Sequence, residues 1–127
     1  MKKIKILTKE NLLALHSLIA DRTGGSAGVR DMGLLESALN SPYQSFGGTE
    51  LYPTLAEKGA RLGFALVSNH AFIDGNKRIG LLAMLCFMRL NGSPLKCSND
   101  ELIRVGLALA AGELSYDGLL SFVCSHI

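Results

Sequence analysis

The chain has 127 residues, 48% of them hydrophobic and 19% charged, which suits one domain over residues 1–127 around one core and excludes a disordered chain. A formal net charge of +2 gives no long-range pull toward nucleic acid or an anionic membrane, so any anion must be held by a local cluster. The three cysteines, Cys86, Cys97 and Cys124, form no CxxC pair and leave one over, which speaks against a disulfide framework or a zinc knuckle and for a reducing cytoplasm.

The opening MKKIKILTKEN has no uninterrupted apolar run and is not a signal peptide. Ile4 and Ile6 alternate with lysines as a short edge strand would, but a solvated lead-in is the better reading. Thr8 caps a helix running to about Arg22, with Leu12, Leu15, His16 and Ile19 on one face and TGG as its stop. His16 reads as a packed or interface histidine rather than a ligand. Asp31 is the N-cap of a short helix through Leu39, which Ser41-Pro42 ends. The stretch SPYQSFGGTELYP has no helical period, so it is either an aromatic-pinned surface loop or a flap over a site.

A capping box, Thr54 with Glu57, opens the next helix, which ends near His70. Its buried side is expected to carry Leu55, Leu62, Ala65, Leu66 and Asn69, with Glu57 and Arg61 as an exposed i,i+4 pair. A further helix runs from Asn76 to Leu90, stopped by Asn91-Gly92. Its run from Ile79 to Met88 is too short for a bilayer, which needs ~20 residues, and reads as a buried central helix. Ser98 with Glu101 opens a fifth helix, and SYDGLLSFVCSHI makes the last. No strand pattern of any strength appears. The expected fold is all-α, about six helices around a central apolar one.

Between the two central helices stands HAFIDGNKR, residues 70–78. A helix N-terminus presents unpaired N–H groups and a positive dipole end, where Lys77 and Arg78 are unfavourable for stability unless an anion occupies the spot. Gly75 allows the tight turn that brings backbone close to a ligand. Asp74 is an N-cap or a partner of Arg78 on the structural reading and a magnesium ligand on the functional one. His70 stands one helix end away, and histidine exchanges protons near neutral pH. Phe72 plugs the loop into the core. Together these residues describe a phosphate site with a built-in base. No P-loop or HExxH pattern competes, and a helix-turn-helix DNA binder would carry its cations on an exposed recognition helix. Neither DNA binding nor membrane binding is expected.

At this loop the sequence resembles the Fic/Doc (Fido) superfamily, and within it the death-on-curing toxin branch, whose signature is His-x-Phe-x-Asp/Asn-Gly/Ala-Asn-Lys-Arg. GVRDMGLLESAL, FGGTELYPTLAEKGA and AAGELS resemble segments of the same branch in the same order. The resemblance implies the compact Fido fold with a short flap. It implies His70 as the base that deprotonates a target hydroxyl, Asp74 as the holder of Mg²⁺, and Gly75, Asn76, Lys77 and Arg78 as the groups that bind the phosphates of ATP. The flap would be Phe46, Gly47, Gly48, Thr49, Glu50, Leu51 and Tyr52, aligning the target by strand-like pairing.

AMP-transferring members carry Gly-Asn-Gly-Arg-x-x-Arg, whereas here Lys77 replaces the second glycine and Leu81 stands in place of the second arginine. The resemblance therefore implies γ-phosphoryl transfer with Lys77 offsetting charge in the transition state, onto a threonine of elongation factor Tu, so that translation stops. Adenylyl or other nucleotidyl transfer is the alternative, and a non-catalytic partner-binding regulator the second. Self-restraining members also carry Ser/Thr-x-x-x-Glu-Gly/Asn; the one matching glutamate here, Glu10, has Ile6 four positions before it. The inhibitory glutamate is thus expected from a separate Phd-like antitoxin whose C-terminal segment folds on binding.

Overall fold

The computed structural model describes residues 3–26 and 28–127. Six α-helices follow one another: α1 (Lys9–Thr23), α2 (Met32–Asn40), α3 (Leu55–Asn69), α4 (Asn76–Leu90), α5 (Asn99–Ala110) and α6 (Tyr116–Ser125). The all-α expectation holds. No helix among the described residues is long and apolar enough to cross a membrane.

Local chemistry fixes most of the boundaries. Thr8, Thr54 and Ser98 each accept the N–H three residues on while that residue's side chain returns to the cap N–H. Asp31 caps α2 through Leu34 N–H at 3.0 Å. Residues 3–8 have no regular structure, yet Asn91 clasps them: Lys5 N–H donates to Oδ1 at 2.8 Å and Nδ2 donates to Lys5 C=O at 3.0 Å.

α4 is the buried central helix expected, and α3 packs antiparallel against it. The pair can close because small residues face each other or long flexible ones. A Cβ on Gly59 would lie 2.5 Å from Met88 Sδ, one on Gly63 3.1 Å from Met84 Sδ, and one on Gly80 2.6 Å from Val67 Cγ2. Phe72, Phe87, Met84, Met88, Leu62 and Leu66 fill the core around that contact, and Leu119 and Val123 of α6 close it.

Two expectations are corrected. The glycine-rich stretch contains a hairpin, β1 (Ser45–Phe46) antiparallel to β2 (Thr49–Glu50), after a 3-10 turn over Ser41–Tyr43. Gly47 and Gly48 both take positive φ, 58° and 81°, as a two-residue type I′ turn demands. Strands of two residues are too short to show a period in sequence. Glu57 and Arg61 are not an exposed ion pair. Glu57 is committed to its capping box, and the Arg61 guanidinium lies over the rings of Tyr52 and Phe64, 5.5 and 5.9 Å from their centroids.

Candidate active site

His70 ends α3 in the left-handed region, φ 50° and ψ 48°, and among the described residues it is the one non-glycine with positive φ. Such a conformation costs of order 1–3 kcal/mol and persists only where neighbours over-determine it. Arg30 does so, donating Nε–H to His70 C=O at 2.8 Å and Nη2–H to Asn69 C=O at 3.4 Å. The Asn69 side chain reaches Leu34 C=O at 3.1 Å. The N–H groups of Arg30 and Asp31 both donate to Ala71 C=O, at 2.8 and 3.0 Å. Arg30 thus caps the end of α3, while Asp31, the N-cap expected, caps the start of α2. The His70 imidazole is exposed and makes no hydrogen bond among the described residues.

Below the loop, Phe72 is 1% exposed and stacks on His16, ring centroids 3.7 Å apart. His16 is the packed histidine expected, and it also holds the site. Asp74 C=O can only accept, so His16 Nε2 carries the hydrogen across their 2.7 Å contact, leaving Nδ1 buried without a partner among the described residues. Asn76 folds back on the loop: Phe72 N–H donates to Oδ1 and Nδ2 donates to Phe72 C=O, both at 3.0 Å. Its amide therefore shapes the loop that precedes the helix.

Gly75 starts α4 at φ 78°, and α4 has no side-chain N-cap, whereas the other five α-helices have one. Its first-turn N–H groups find no acceptor among the described residues, and the positive end of the dipole lies at Lys77 and Arg78. Arg78 is exposed, the Lys77 stem lies against Gly106 of α5, and neither forms an ion pair among the described residues. Asp74 is neither N-cap of α4 nor partner of Arg78; its Oδ1 accepts Gly75 N–H at 2.9 Å. A Cβ at Gly25 would lie 2.6 Å from Asp74 Oδ2, so glycine there makes room for the carboxylate. No group of three metal-ligating side chains exists among the described residues. One exposed carboxylate beside an open anion hole fits Mg²⁺ that arrives with a nucleotide and takes its remaining ligands from phosphate and water.

The hairpin expected as a flap has no hydrogen bond to the motif loop among the described residues. Phe46 is 82% exposed and Leu51 is also exposed, while Tyr52 roots the hairpin against Tyr116, centroids 5.4 Å apart. Lys77 and Arg78 border an apolar groove of about 550 Å³ between α1, α4 and α5, lined also by Ile19, Leu81, Leu85, Leu102 and Ile103. Sequence reading missed Arg30 and the anchoring role of His16, because each acts on residues distant in the chain.

Residues 6–88 match the model of a family described as Fic/DOC family. "Toxin Doc" of Mycolicibacterium smegmatis is 38% identical over 94 residues, 74% of this chain and 70% of that protein. "Protein kinase doc" of Escherichia phage P1 is 33% identical over 109 residues, 86% of this chain and 85% of that protein.

Proposed function

Because the chain belongs to the Fic/DOC family, we propose that it is the toxin of a toxin–antitoxin pair and transfers the γ-phosphate of ATP to a protein hydroxyl, that of a threonine in elongation factor Tu. The observation that carries the reading is the uncapped start of α4, with Lys77 and Arg78 in its first turn and an exposed histidine one short loop away. The phosphates lie at the backbone of Gly75, Asn76, Lys77 and Arg78. The target hydroxyl oxygen bonds to the γ-phosphorus, the bond from that phosphorus to the β–γ bridging oxygen breaks, ADP leaves, and His70 takes the hydroxyl proton. Asp74 would hold Mg²⁺, whose chemistry is to neutralise charge on the phosphates. Lys77 offsets the charge that develops on the transferring group.

Three observations support the phosphoryl over the adenylyl sense. Lys77 fills the position that the AMP-transferring pattern leaves open, Leu81 is buried in place of an arginine, and the phage relative is named a protein kinase. The exposed hairpin supports target alignment by strand addition. The groove beside Lys77 and Arg78 supports an antitoxin segment that seats apolar side chains there and offers a carboxylate to Arg78. The toxin name of the mycobacterial relative supports the pairing.

The test is a transfer assay with purified protein, Mg²⁺, elongation factor Tu and ATP labelled separately at the α- and γ-phosphates. Label is expected from the γ position only, with ADP released and the signal lost in His70→Ala. Label from the α position would make this an adenylyltransferase, and activity retained in His70→Ala would remove the base.

A further inference from the structure

Lys58 is an odd residue to bury. It sits in the first turn of α3, where the helix dipole disfavours a cation, and it is only 2% exposed. An uncompensated buried ammonium is expensive, and an apolar side chain of similar volume would serve the core as well or better. Its partners explain its presence. Nζ donates to Glu50 Oε1 at 2.9 Å and also to Tyr52 C=O. Both acceptors belong to the flap.

Apart from Tyr52, whose ring packs on Tyr116 and under Arg61, the flap has little else to hold it. All four strand residues are exposed, and its tip is two glycines. A two-stranded hairpin without an apolar face is marginal in water. Ser45 pairs with Glu50 and Phe46 with Thr49. Side chains alternate across a strand, so drawing Glu50 toward α3 sends Phe46 and Thr49 to the opposite, outward face. A hydrogen-bonded clasp at one strand residue thus sets which way the whole hairpin presents itself.

We propose that Lys58 is a positioning residue for the transfer reaction: its buried ammonium fastens the hairpin to α3 and fixes the face and edge that meet the target. This rests on the reading of the flap as the target-aligning element. Lys58 touches neither nucleotide nor target hydroxyl, so its loss acts on the target's KM and leaves nucleotide binding alone.

Lys58→Met keeps the volume and leaves Glu50 in solvent. It is expected to raise the KM for the protein target about tenfold, the scale of a charge-assisted hydrogen bond, with ATP affinity and kcat near wild type. Hydrogen exchange at the hairpin, including Leu51 N–H, which donates to Gln44 C=O, is expected to speed up by a similar factor while α3 and α4 amides keep their protection. Glu50→Gln, at an exposed side chain, is expected to move both readouts the same way by less. Target KM and hairpin exchange unchanged in both variants would overturn the proposal. So would loss of protection throughout α3 in Lys58→Met together with an unaltered hairpin in Glu50→Gln, which would leave Lys58 a core residue only. Failure of the proposed activity shows separately, as a wild type that transfers no label, and the exchange contrast still decides whether Lys58 fastens the hairpin.

Discussion

At the scale of single residues, the site depends on a strained backbone at His70 held by a side chain forty positions away in the chain. Arg30→Ala removes both donors to the end of α3 and leaves the carbonyls of Asn69 and His70 to solvent. Arg30 is itself exposed, so the stability loss is expected at about 1 kcal/mol by chemical denaturation. The activity loss is expected to be larger, about tenfold in kcat with ATP affinity retained, because an imidazole on a relaxed backbone no longer points one way. Equal losses in kcat and ATP affinity would mean that Arg30 supports the whole loop instead of His70. Asp31 as a cap was legible in sequence, since a cap acts on a neighbour three residues on. Arg30 was not, since nothing local separates a cation that caps a distant helix from one in solvent.

At the scale of elements, the loop is positioned by how closely α3 and α4 approach. Gly80→Ala puts a methyl 3.1 Å from Gly63 C=O and 3.2 Å from Val67 N, both backbone, and 2.6 Å from Val67 Cγ2. Backbone cannot step aside, so the helices must separate, at a cost of about 1–3 kcal/mol. Gly59→Ala meets only Met88 side-chain atoms and the edge of the Phe87 ring. A thioether can swing away, and alanine regains up to about 1 kcal/mol of helix propensity, so this change is expected to be near neutral. Thermal unfolding of the two variants side by side checks the contrast, and equal melting temperatures would show that the helix contact is softer than the geometry implies. The helices were legible because caps and stops are short-range signals. The hairpin was hidden by its length, and Lys58 by its chemistry, since a lysine in a helical pattern reads as solvated.

At the scale of the whole molecule, the family match ends at residue 88, yet the core does not. Leu119 and Val123 of α6 are fully buried, Gly106 of α5 receives the Lys77 stem, and Tyr116 receives Tyr52 at the root of the hairpin. What ties α6 back to α5 is His126. Its Nδ1–H donates to Phe122 C=O at 2.6 Å and Nε2 meets Glu101 Oε2 at 2.7 Å, so the doubly protonated ring satisfies both partners. The Phe122 carbonyl and then the Glu101 carboxylate raise the His126 pKa above its ordinary 6.5. Glu101 is held down to about 2, first by Ser98 N–H and then by His126. A raised histidine contributes stability that is complete below 6.5 and lost as pH rises through its folded value. A lowered carboxylate contributes stability that is complete above 4.5 and lost as pH falls through about 2. Both contributions are therefore whole between 4.5 and 6.5. Melting temperatures of wild type and His126→Gln are expected to differ most in that window and to converge toward alkaline pH, with a smaller gap in high salt because both side chains are partly open to solvent. A gap that stays constant from acid to alkaline pH would mean that His126 acts there by packing on Phe122 alone, and the C-terminal helix would then be fastened by its apolar face without help from charge.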